Sequence, residues 1–176
     1  MDSSTSTPPD AGGAPVPGSG HTTLSTIAEQ VAAIDRLILL ARQSIKVFDQ
    51  DLSQTGWNAP ARSEHLTAFL KGSPHARLDI IVHDTRWIVA CCPRLTALLR
   101  RWSHAIRIFR TGAEAQAATD PLVIVDARHY LRRFHIDHPR ADLGIDVPAD
   151  ARPLVNRFDE IWATGEPGIT ATTLGL

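Results

Sequence analysis

The sequence predicts an α/β domain, a mixed, largely parallel sheet with helices on both faces. Strand-length apolar runs such as Ile45–Phe48, Ile80–Val82 and Leu122–Val125 alternate with segments whose apolar residues step by three and four. Their order from Leu24 onward reads helix, strand, helix, strand, helix, strand, strand, strand, helix, and such alternation packs helices against a sheet. The composition agrees: 43% hydrophobic and 21% charged residues suit an ordinary globular domain.

Met1–Gly20 is rich in Ser, Thr, Pro and Gly and cannot offset its ordering entropy, so residues 1–21 are expected to be a flexible tail. The domain is expected over 22–168 and a short tail over 169–176. Leu24, Ile27, Val31, Ile34, Ile38, Ala41 and Ile45 share one helical stripe, which predicts a helix over 23–43 with Thr26 and Glu29 as a capping box. Ile45–Gln50 reads as a buried strand ending at Asp49 and Asp51. Gln54–Arg62 is a loop, and Ser63–Gly72 is a helix with Leu66, Phe69 and Leu70 inward.

Arg77–His83 is the second strand. Pro93 suits a first helical turn, followed by a core stripe of Leu95, Leu98, Leu99 and Trp102. Ala105–Arg110 is a strand with Ile106 and Ile108 on one side. Leu122–Val125 and Tyr130–Ile136 form a hairpin, with Asp126 suited to the first position of a type I turn. Asp142–Asp150 reads as an acidic connector. Pro153 opens a last helix carrying Leu154, Phe158, Ile161 and Trp162, which Gly165–Gly168 stops.

Net charge is −1, which argues against a generally basic nucleic-acid binder. Six arginines and no acid lie between Thr85 and Ala113, whereas seven acids lie between Asp137 and Glu166. Internal ion pairing explains this more simply than an anion-binding surface. No apolar run approaches the ~20 residues that span a bilayer, so membrane insertion is not expected. The N-terminus lacks a basic segment leading into an apolar one, so a cytoplasmic protein is expected. Cys91 and Cys92 are neighbours, a spacing that rarely suits a disulfide, and read as buried thiols at a helix start.

The element order, the strand–Asp–strand hairpin and the closing Phe158-Asp-Glu-Ile-Trp162 helix resemble one half of the phospholipase D superfamily fold. The likeness covers about Leu24–Gly165 and is closest to bacterial proteins with one uncharacterised domain of that kind. The resemblance implies a His-x-Lys-x-x-x-x-Asp motif followed by Gly-Ser. There the His is nucleophile or acid, the Lys binds phosphate, and the Asp orients a His. Only the Asp is matched, as Asp126; Thr119 stands for the His, Pro121 for the Lys, and Arg133-Phe134 for Gly-Ser. Threonine has no imidazole to phosphorylate, and proline offers phosphate neither a charge nor an N–H. The expectation is therefore a degenerate site and no enzyme activity, with no cofactor implied.

The candidate ligand-binding residues are Arg128, Arg132, Arg133, Asp126 and Asp49. The three arginines form the densest basic cluster, on the hairpin that borders the phosphate site in the resembled enzymes. The leading expectation is a non-catalytic binding or assembly module whose partner is a second copy of the chain or an anionic ligand. One alternative is a phosphodiesterase with a rebuilt, metal-assisted site using Asp49, Asp51, Asp126 and His135. Within His135-Ile-Asp-His138 the potential ligands converge only if the chain turns. A third reading is a nucleic-acid accessory protein. Against it, no aromatic residues alternate with these arginines.

Overall fold

A computed structural model describes residues 18–175, so most of the predicted N-terminal tail lies outside the described residues. Among those described, eight strands form one sheet, in the order β1-β7-β6-β5-β2-β3-β4-β8. The strands are β1 (Gly20–Leu24), β2 (Ser44–Asp49), β3 (Arg77–Val82), β4 (Ile106–Arg110), β5 (Leu122–Val125), β6 (His129–His135), β7 (His138–Ile145) and β8 (Glu166–Ile169). The helices are α1 (Ile27–Leu40), α2 (Pro60–Gly72), α3 (Arg86–Cys91), α4 (Pro93–Arg101) and α5 (Pro148–Ala163).

The sheet is mixed, as expected, but less of it is parallel. Only the β2–β3 and β3–β4 pairs are parallel, joined by crossovers through α2 and through α3–α4. The remaining neighbours pair antiparallel, because hairpins and chain-terminal strands flank that centre.

Helices cover both faces. Ile34, Leu37 and Ile38 of α1, Leu66 and Leu70 of α2, and Leu95 and Leu99 of α4 pack on Ile45, Val47, Leu78 and Ile80. On the other face Leu154, Phe158 and Ile161 of α5 pack on Phe48, Ile81, Leu122 and Ile124. Burying such side chains stabilises by about 1.5–3 kcal/mol each, so these two layers hold the sheet.

Several local expectations are corrected. The first helix starts at Ile27 rather than 23, fixed by the Thr26–Glu29 capping box, and residues 20–24 form β1 across the end of the expected tail and the start of the expected helix. The last helix starts at Pro148, with Val147 at its N-cap, rather than at Pro153. Pro148 sets its first turn, and Pro153 lies within it. The expected acidic connector is instead the end of β7, whose Ala141, Leu143 and Ile145 turn inward, and the start of α5. The chain after Gly165 adds β8 to the edge of β4 instead of ending the domain. Cys92 is buried as expected, but Cys91 is exposed and ends a helix rather than beginning one.

Candidate functional site

The parallel strands β2, β3 and β4 end together, and the end of β5 that carries Thr119–Pro121 lies beside them. Asp49, the last residue of β2, is 7% exposed, and its Oδ1 accepts the Gln50 N–H. Burial pushes its carboxyl up to about 6, against the opposing pull of the Gln50 N–H and of Arg133. Arg133, 4% exposed, donates from Nε to the His138 carbonyl and from Nη1 to Gln54 Oε1, both at 2.6 Å. It thus ties the β6–β7 turn to the β2–α2 loop. Burial pushes its guanidinium pKa down.

The segment at the His and Lys positions is occupied structurally. Pro121 O accepts the Arg133 N–H, and Thr119 O accepts that of Ile136. The buried Asp120 takes a two-pronged bond from Arg157 of α5. His83 Nε2 meets the Ala118 carbonyl at 2.8 Å, which places the ring proton there. Its Nδ1 therefore accepts the Thr111 hydroxyl at 2.6 Å. A polar cleft of about 370 Å³ beside it carries Arg86 and Arg110, each already paired, with Asp84 and Glu166. The Arg86 guanidinium holds the Asp84 carboxyl down near 2.

Asp126 lies elsewhere. It sits at the other end of β5, seven residues from Thr119, or about 23 Å along an extended strand. Its carboxylate accepts the backbone N–H groups of Arg42, Gln43 and Ser44, each at 2.8 Å, and so clasps the turn from α1 into β2. Asp126 and Ala127 have φ of 51° and 53°, and the Arg128 N–H bonds the Val125 carbonyl. That is a type I′ turn with Asp126 second, not the type I turn with Asp126 first expected from sequence. The I′ form matches the strands' twist.

The five candidates therefore do not share a cleft. Asp49 and Arg133 meet at one end of the sheet; Asp126 and Arg128 meet at the other, where Arg128 pairs with Asp146. The four residues of the metal-assisted alternative are split in the same way. His135 Nδ1 accepts the Asp137 N–H at 3.2 Å, and among the described residues no three His, Cys, Asp or Glu side chains gather as a metal site needs.

Arg132 points to the face opposite Arg133. Its Nη2 lies 3.6 Å from Asp120, and its Nε is buried without a partner. Next to it Phe134 is 46% exposed, with the Arg132 and Arg140 guanidinium carbons 5.9 and 5.7 Å from its ring centroid. Sequence reasoning missed this group, because Arg140 reaches Phe134 only across the β6–β7 pairing. An aromatic ring thus does lie among the hairpin arginines.

The profile of a family described as a domain of unknown function (DUF7931) matches residues 26–173. No curated protein matches the sequence. Among solved structures, the archaeal chromatin protein TrmBL2, whose structure shows a novel mode of DNA binding, is 10% identical with a TM-score of 0.64. The match covers 88% of this chain, which spans 56% of TrmBL2. The phospholipase D family member NUC from Salmonella typhimurium is 15% identical with a TM-score of 0.60, over 86% of this chain and 100% of NUC. NucT from Helicobacter pylori is 13% identical with a TM-score of 0.54, over 85% of this chain and 99% of NucT. The fold is thus phospholipase D-like, one domain of that kind. No helix among the described residues is long and apolar enough to cross a membrane.

Proposed function

The chain belongs to the DUF7931 family, and we propose that it is a non-catalytic phospholipase D-like domain that binds a phosphate-containing anionic ligand on the β6–β7 face. The observation that carries this reading is the exposed Phe134 ring between Arg132 and Arg140. The backbone on either side of Phe134 pairs with Pro121 and Thr119, the positions that the resemblance assigns to the Lys and the His. Absence of turnover follows from chemistry: neither Thr119 nor Pro121 can form a phospho-histidine or neutralise a phosphoryl oxygen. Arg133 is engaged in holding two loops together and is not free to replace the lysine.

A single-stranded nucleic acid is the second reading. An aromatic face flanked by guanidinium groups can stack a base while the cations meet phosphates, and the similarly folded TrmBL2 binds DNA.

Purified protein should leave bis(p-nitrophenyl) phosphate intact, with or without added Zn²⁺ or Mn²⁺; turnover lost on Asp49→Asn would overturn the non-catalytic reading. Binding to a fluorescent oligothymidylate should weaken with salt, and Arg132→Ala/Arg140→Ala should lower the log–log salt slope by about 1.4, or 0.7 per phosphate contact. An unchanged slope would remove this face as the binding surface. Retention on a phosphate-presenting resin without oligonucleotide binding would favour a smaller anion on the same face.

A further inference from the structure

At the end of the sheet away from Thr119, a cleft of about 620 Å³ opens between α1, the β5–β6 turn and the Ile145–Asp146 corner. Arg36 and Arg42 line it, both exposed, and neither has a carboxylate partner among the described residues. The two acids in the same wall are engaged. Asp146 pairs with Arg128, and Asp126 accepts three backbone N–H groups.

The floor supplies a second, independent feature. His129 is 8% exposed, and its Nδ1 accepts the Asp146 N–H at 2.9 Å. That bond fixes the neutral ring's proton on Nε2. Among the described residues Nε2–H has no protein partner, and His129 lines the cleft. Burial lowers the imidazole pKa, against the opposing pull of Asp146 and Asp126, and Arg128 and Arg36 add to the lowering. The cleft thus offers two guanidinium forks and one imidazole N–H, and its carboxylates are already satisfied.

We propose that this cleft is a binding site for a small phosphate ester, with Arg36 and Arg42 on the phosphate oxygens and His129 Nε2–H donating to the same group. The volume lies in the range of small-molecule pockets, which fits an ester better than a bare ion. Bidentate guanidinium contacts suit phosphate geometry. The site is separate from the β6–β7 face and does not depend on the reading given for that face.

Calorimetric titration of the full chain with inorganic pyrophosphate and with phenyl phosphate tests it. Binding at this cleft, followed at the His129 resonance, is expected at one site per chain, weakened at least tenfold by Arg36→Ala/Arg42→Ala and unaltered by Lys71→Ala, an exposed residue on α2. Should the alanine pair fail to fold, Arg36→Gln/Arg42→Gln replaces it. In the unmodified protein, the ¹⁵N resonance of His129 Nε2 should shift on saturation. No binding at millimolar ligand, equal affinity in the arginine-deficient protein, or an unmoved His129 resonance would each overturn the proposal. The alternative role for these arginines, offsetting the negative end of α1, predicts a loss of stability in the variants with no ligand effect.

Discussion

The carboxylate of Asp126 accepts the backbone N–H of Ser44 at 2.8 Å and takes those of Gln43 and Arg42 as well. The motif's one matched residue therefore works as a clasp between a hairpin turn and the start of β2. Asp126→Ala removes the acceptor of three N–H groups, of which only that of Ser44 is partly buried, and should cost on the order of 1–2 kcal/mol in urea denaturation. Asp126→Asn keeps one acceptor oxygen and tolerates the positive φ, so it should cost less than half as much. Equal stability of Asp126→Ala and the parent would refute the clasp.

Asp49 gives the domain a pH signature. Its folded-state pKa of about 6 exceeds the ordinary 3.8, so the folded chain holds this proton to higher pH than the unfolded chain does. The Asp49 contribution is then largest below pH 4 and declines as pH rises through 6, by about 3 kcal/mol in all. Asp49→Asn should remove that decline, so its stability relative to the parent should improve steadily from pH 4 to 7. Parallel stability curves across this window would mean that the carboxyl is not desolvated.

Arg133 spans two loops from a buried position, so removing it leaves Gln54 and the His138 carbonyl without their donor. Arg133→Ala should destabilise by about 3 kcal/mol or more. Arg133→Lys should recover only a small part, because a single ammonium cannot reach both acceptors as the planar fork does. Full rescue by lysine in thermal melts would show that charge alone matters there.

The two cysteines should react differently. Cys91 is exposed, whereas burial and the neighbouring Cys91 push the Cys92 thiol up to about 12. Native protein should titrate one thiol per chain with a disulfide reagent, and guanidinium should release the second. Two fast thiols in the native state would contradict the packing of Cys92.

The central elements were legible because their signals were local. The α1 stripe, its capping box and the apolar runs of β2, β3 and β5 each declare themselves within a few residues. β1 was not, since Leu24 also continues the helical stripe and only pairing with β7 decides the matter. In β7 the alternation of Ala141, Leu143 and Ile145 was present but masked by Asp142 and the acids that follow the strand. Asp142 is on the outer face, accepting the Tyr130 hydroxyl, and Gly144 is required because a Cβ there would lie 2.4 Å from the Tyr130 ring. The opposite facing of Arg132 and Arg133 followed from strand periodicity. The division of the candidates between two ends of the sheet did not, because it depends on how β5 lies against β2. Arg62, fully buried and bonded to Asp35, Thr55 and Val31, gave no sign at all, because its partners are assembled by tertiary packing.

Gly20 of β1 sits opposite Ile145 of β7, so β1 leaves the ribosome well before the strand that it pairs with. During that interval its backbone donors and acceptors hydrogen-bond only to water, exposed to any stray extended segment. A length of five residues makes a poor template for such encounters. The nascent chain can therefore assemble its central strands first and fasten this outer seam only when synthesis has passed β7.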